Sequence, residues 1–117
     1  MRTAYVAGPM RGYPLFNFKA FDDASARGRS LGWNIISPAE MDRAIGFDEH
    51  RESLDGFDLN AAIRRDVAAI LSLSPDNGDA IALLPEWEKS RGARAEKALA
   101  EWLGLSILSA DTFEEIQ

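Results

Sequence analysis

A three-layer α/β fold, with a parallel sheet covered by helices on both faces, is what this 117-residue sequence predicts. Three observations carry it. Short β-prone runs alternate with stretches of helical period, and that alternation winds a parallel sheet. One run, Ala80-Ile81-Ala82-Leu83-Leu84, is apolar throughout, as a strand covered on both faces must be. Glycine, proline and serine breakers separate the runs: Gly8-Pro9, Ser37-Pro38 and the stretch SPDNGD.

Thr3 to Ala7 reads as the first strand, stopped by Gly8-Pro9. Asn17 is placed to cap a helix in which Phe18, Phe21, Ala24 and Leu31 recur at helical spacing, and Gly32 closes it. Trp33 to Ile36 is the second strand, and Ala39 to Ile45 a short helical turn. Gly46 to Asp58 has no clear period and is rich in charge and glycine, which predicts a mobile excursion of the kind that forms a lid. Leu59 to Leu73 is strongly helical, with Leu59, Ile63, Val67, Ile70 and Leu73 facing one way. Ala80 to Leu84 is the third strand and Ser90 to Leu103 the last long helix, ended by Gly104. Leu105 to Leu108 is the fourth strand, and Asp111 to Ile116 a capped terminal turn. The expected sheet is Rossmann- or flavodoxin-like, with an order of about 2-1-3-4 taken as the working arrangement, in a single domain over residues 1–117. In such a sheet the ligand crevice lies beyond the carboxyl ends of the strands, where strand order reverses. Here that point falls between the strands ending at Ala7 and Leu84, so the loops starting at Gly8 and Pro85 should face each other.

Composition narrows the chemistry. A formal charge of -6 disfavours a nucleic-acid surface, which needs a net basic face, but leaves room for a small phosphorylated ligand. With no cysteine, disulfides, thiolate metal sites and cysteine nucleophiles are excluded. His50 is the single histidine, so one chain cannot build a histidine metal cluster; no metal and no organic cofactor is expected. MRTAYVAGP has no apolar signal-like core and no stretch reaches a membrane-spanning length, so the expected location is cytoplasmic, with no membrane partner. Any catalysis must then rest on carboxylates, hydroxyls, arginine and backbone.

Two carboxylates break the apolar pattern. In SRGARAEKALAEWLG, Glu96 shares a helix face with Leu99, Ala100 and Leu103. Asp66 lies among Leu59, Ile63, Ile70 and Leu73 in the same way. A carboxylate on an apolar stripe costs several kcal/mol unless it is paired, hydrogen-bonded or at a cavity. Each admits two readings: a side chain that reaches water or an arginine, or a site residue on a crevice floor. For Asp66, pairing with Arg64 or Arg65 is awkward, because adjacent helix residues do not face each other. Together the two point to acid/base or nucleophilic carboxylate work.

The loop AGPMRGYP, with Gly8, Pro9, Met10, Arg11 and Gly12, can bring backbone N–H groups and an arginine to an anion; it is also an ordinary turn with a solvated arginine. It is neither a dinucleotide fingerprint nor a P-loop. In LPEWEKSRGA, Ser90 can cap the helix while Gly92 and Ala93 leave its first-turn amides accessible. Trp87 can stack on a base or cover a core edge, and Arg91 and Arg94 read as solvated surface charges.

YVAGPMRG, NFKAF, ISPAE and LPEWEKSRGARAEKALA together resemble the nucleoside 2-deoxyribosyltransferase-like superfamily, and within it the domain-of-unknown-function 4406 branch. Most specific is the spacing Ser90-x-Gly92-Ala93-x-x-Glu96-x-x-x-Ala100. The resemblance implies that Glu96 attacks the anomeric carbon of a nucleoside sugar and that Asp66 orients it or handles the base proton. It places Tyr5 near the sugar. The Gly8–Gly12 loop is similar to that of the deoxynucleoside 5′-monophosphate N-glycosidases, which implies that Arg11 and Ser90 hold a 5′-phosphate. Transferases commonly carry an aspartate where this chain has Ser90, which favours a nucleotide over a nucleoside. Members form homodimers in which a neighbour completes the site, so a homodimer or higher homo-oligomer is expected. The implied function is cleavage or transfer at an N-glycosidic bond through a glutamate nucleophile, as a hydrolase or a deoxyribosyltransferase. The alternative from another class is a non-catalytic nucleotide-binding module on the same fold.

Overall fold

The computed structural model describes residues 1–116. Four strands, β1 (Thr3–Ala7), β2 (Asn34–Ile36), β3 (Ala80–Leu83) and β4 (Ser106–Ser109), form one parallel sheet in the order β2-β1-β3-β4. β1 and β3 are central and pair from Ala4 opposite Ala80 to Ala7 opposite Leu83. Alternation along these strands divides the core. Ala4, Val6, Ala80 and Ala82 pack with Phe18, Phe21 and Ala24 of helix α1 (Phe18–Ser30). Tyr5, Ala7, Ile81 and Leu83 point the other way, to Ile70 of α3 (Leu59–Leu71) and to Ala93 and Ala100 of α4 (Arg91–Leu103). The short α2 (Pro38–Ala44) follows β2 and packs on α1. No helix among the described residues is long and apolar enough to cross a membrane.

Two strands begin one residue later than the sequence predicts, for one reason. The amide of Trp33 closes α1 by donating to Gly28 O at 3.0 Å, and that of Leu105 closes α4 by donating to Ala100 O at 3.0 Å. An amide used to end a helix is not free to open a ladder. α3 stops at Leu71, and Leu73 enters the core from the turn that follows, its N–H on Ile70 O. Two stripe residues also depart from expectation. Leu31, just past α1, is 58% exposed, and Ile63 is 49% exposed at the rim of a cavity. On α3 the inward face runs Ala62, Asp66, Ile70, so Asp66 does point inward.

Asn17 precedes α1 but makes no side-chain cap. It is left-handed (φ 62°), as are Leu15 and Phe16, and its Nδ2 donates to Pro9 O at 2.9 Å, tying α1 to the loop after β1. The Gly46–Asp58 excursion is anchored to the main core, with Phe47 buried in it and Leu54 and Phe57 packed against it. At the C-terminus the turn after β4 leads back antiparallel, with Glu115 bridged to Leu108 and Phe113 buried.

Candidate active site

The loops after β1 and β3 do face each other. Leu84 N donates to Ala7 O at 2.9 Å, carrying the β1–β3 pairing one residue past the strands. Gly8 lies so close that a Cβ there would sit 2.7 Å from Leu84 Cβ, so a side chain would force the loops apart. Farther out, Glu86 accepts from Tyr13 Oη at 3.0 Å and from Lys89 Nζ at 2.6 Å, bracing the two loops across their tips. Between them, and bounded on the other side by α2, α3 and the excursion, is a cavity of about 740 Å³.

Glu96 and Asp66 line this cavity from α4 and α3. Tyr5 stands under Glu96, fully buried in β1, and its hydroxyl donates to Glu96 Oε2 at 2.6 Å. Glu96 Oε1 has no partner among the described residues. Burial raises the Glu96 carboxyl to about 7; the Tyr5 hydrogen bond works against that rise, and the Asp66 charge adds to it. The Tyr5 phenol is pushed well above its usual value by burial and by the charges of Glu96 and Asp66, so it stays a neutral donor.

Asp66 does pair with its neighbour, contrary to the expectation from helix geometry. Arg65 folds back along α3 and gives Nε at 3.0 Å and Nη2 at 2.8 Å to the same oxygen, Oδ1. The rule that adjacent helix residues do not face each other concerns Cβ directions, and the long arginine stem goes round it. Arg65 Nη2 also reaches Asp42 Oδ1 of α2 at 2.8 Å. Burial raises both Asp66 and Asp42 above the ordinary carboxylate range, with Arg65 pulling each back down. Three carboxylates thus surround one guanidinium and one phenol, an arrangement that favours retaining a proton near neutral pH.

An anion-suited region lies at the N-terminus of α4. Ser90 Oγ accepts from Ala93 N at 3.1 Å, the expected cap. The amides of Arg91 and Gly92 make no hydrogen bond among the described residues, and Ser90, Arg91 and Gly92 all line the cavity. So do Gly8, Pro9, Met10 and Arg11. Arg11 and Arg91 have no ion-pair partner among the described residues, so Arg91 belongs to the cavity wall rather than only to the solvated surface. Arg94 instead donates to Glu88 O at 2.8 Å. Elsewhere the wall is aromatic. Phe47 stacks on Phe18 at 5.5 Å between ring centroids, and meets Phe16 edge-on at 5.2 Å and Phe57 at 4.9 Å. Arg51 fixes this group by lying over Phe47 while donating to the carbonyls of Ser53 and Asp55.

Three predicted residues do not line the cavity: Tyr5 lies fully buried beneath Glu96, and Trp87 and Gly12 stay out of the wall. Trp87 covers the core edge on the α3/α4 side, with Lys97 Nζ 5.2 Å from its ring centroid. Gly12 (φ 84°) makes the turn between Arg11 and Tyr13, both of which do line the cavity. Conversely, Asp42 and Phe47 line the cavity without having been singled out, and Arg65, considered only as an awkward partner for Asp66, bonds both Asp66 and Asp42. Phe47 carried a faint signal as one of two phenylalanines, with Phe57, at the ends of a charged stretch; Asp42 sits one helical turn past Pro38 with nothing to distinguish it. Asp48, Glu49 and His50 bring potential metal-ligand atoms within 4.8 Å of one another, but outside the cavity, and Glu49 is already engaged by Arg43.

Residues 2–109 match the family described as domain of unknown function (DUF4406), and the chain belongs to that family. No curated protein and no solved structure matches it significantly.

Proposed function

We propose that this DUF4406 protein cleaves or transfers the N-glycosidic bond of a nucleoside 5′-monophosphate or nucleoside, with Glu96 as nucleophile. The observation that carries the reading is the Glu96 carboxylate itself. It is held by Tyr5 through one oxygen only, lies beside Asp66, and lines a cavity between an aromatic wall and an anion-suited helix N-terminus. A purely structural ion pair would place an arginine on Glu96; among the described residues no cation pairs with it, and the Arg65 guanidinium bonds Asp42 and Asp66. The resemblance to the nucleoside 2-deoxyribosyltransferase-like superfamily supports the same role.

In this reading Glu96 Oε1 attacks the anomeric carbon while the bond to the base nitrogen breaks and its electron pair leaves with the base. Asp66, kept protonated into a higher pH range by burial, supplies the proton the departing base takes up. The oxocarbenium-like charge that develops at the sugar is stabilised by the adjacent carboxylate and trapped as a glycosyl ester. Water then attacks the anomeric carbon, its proton passes to Asp66, and Glu96 is released; a second base in place of water gives transfer. Arg11, Arg91 and the free amides of Arg91 and Gly92 would hold the 5′-phosphate, and the phenylalanine wall would face the base. The substrate would enter a site with no cofactor, and a homo-oligomer remains part of the proposal.

The test is incubation with a panel of nucleosides and 5′-monophosphates, with chromatography for free base. Release of base by the wild-type protein and its loss in Glu96→Ala supports the reading; undiminished release in Glu96→Ala overturns it. Binding to the panel with no release in any sample favours the non-catalytic nucleotide-binding module instead. Arg11→Ala should raise KM for a monophosphate by roughly tenfold and leave the matching nucleoside unchanged, as expected for one lost charge-assisted contact.

A further inference from the structure

Asp42 connects two parts of the site that are far apart in sequence. Its backbone carbonyl accepts the amide of Phe47 at 3.0 Å, which seats the aromatic wall of the excursion. Its carboxylate is buried, at 6% exposure, and takes Arg65 Nη2 at 2.8 Å. That same Nη2, with Nε, is bonded to Oδ1 of Asp66, while Asp66 Oδ2 takes no donor from Arg65; the Tyr5 hydroxyl lies close enough to Asp66 to favour its ionised form. A guanidinium next to a lone carboxylate takes both oxygens in a parallel fork. Here it does not: both contacts fall on Oδ1, Nη2 is shared with Asp42, and the buried Nη1 has no partner among the described residues.

We propose that Asp42 is a positioning residue for the reaction above: it draws the Arg65 guanidinium sideways, so that Arg65 occupies one oxygen of Asp66 and leaves the other to the substrate. The inference rests on the proposed glycosidic chemistry for its catalytic consequence, but not for the linkage itself. The groups facing Asp66 are Arg65 on its own helix, Asp42 from α2, Glu96 from α4 and Tyr5 from β1. Removing the Asp42 charge takes away one repulsion and returns Arg65 wholly to Asp66. Both changes favour the ionised form of Asp66, so they act in the same direction. With Arg65 forked on both oxygens, Asp66 loses its free oxygen and its capacity to carry the proton for the leaving base.

Asp42→Asn keeps the backbone carbonyl that seats Phe47 and removes only the charge. The experiment follows the side-chain carboxyl carbons of the full-length protein by NMR across a pH titration, beside base release over the same range. In Asp42→Asn the Asp66 carbon should titrate lower by roughly half a pH unit, and base release near neutral pH should fall about tenfold. Arg65→Lys cannot fork across two carboxylates, and should move the Asp66 titration upward instead. An Asp66 titration unmoved in both folded variants overturns the linkage, as does an unmoved one in Arg65→Lys should Asp42→Asn fail to fold. Shifted titrations with no base release from the wild-type protein uphold the linkage and count against the glycosidic reading. Shifted titrations with base release and its pH profile unchanged refute the positioning role while leaving that reading intact.

Discussion

Replacing Glu96 by glutamine should make the protein more stable at alkaline pH while abolishing base release. In the folded chain the Glu96 carboxyl is raised to about 7 from an ordinary 4.5. Between those values the folded state holds a proton that the unfolded state has released, so stability falls as pH rises from about 4.5 to about 7 and stays reduced above it. The full cost of ionising Glu96 in the fold is about 3 kcal/mol. Glutamine matches the protonated acid in shape and still accepts from Tyr5, and the strengthening of that bond by the carboxylate charge is already contained in the cost of ionisation. The net gain at pH 8 is therefore about 3 kcal/mol, or on the order of 12 °C in Tm for a domain of this size. At pH 4.5 the wild-type side chain is itself protonated and the two proteins should melt together. The assay is thermal unfolding followed by circular dichroism at both pH values. A Glu96→Gln protein no more stable than wild type at pH 8 would refute the reasoning, because it would mean the carboxylate is solvated or paired rather than held in the cavity.

Tyr5→Phe removes the hydrogen bond that counters the burial of Glu96. The acid limb of the pH–rate profile should then move up by about one pH unit, and a limb left in place would mean that Glu96 does not set it. Phe47→Ala opens the aromatic wall among Phe16, Phe18 and Phe57 and should destabilise the fold by about 3 to 5 kcal/mol, read by urea unfolding. A loss below about 1 kcal/mol would show the excursion to be independent of the domain core.

How much was legible in the sequence follows from how local each cause is. The strand–helix alternation, the buried β3 and the 2-1-3-4 order rest on periodicity and handed connections, which act over a dozen residues at a time. The same reasoning placed Asp66 and Glu96 on inward faces, since a helix fixes which side chains share a side once its register is known. It erred where one backbone group had two possible uses, as at Trp33 and Leu105, whose amides close helices before the strands begin. It also erred at Asn17, where a cap signal was spent on Pro9 in a left-handed turn.

The sequence by itself therefore determined the sheet, its helices and the two carboxylates that break their apolar stripes. Only the tertiary structure decided what surrounds those carboxylates. Tyr5 reaches Glu96 across ninety-one positions of chain, and Arg65, the link to Asp66, reaches Asp42 across twenty-three. Phe47 came into the wall and Trp87 stayed out of it, although both lie in segments without period. Such contacts depend on how separate elements pack together, and no short-range pattern encodes the distance between two side chains that only the completed core brings within a hydrogen bond.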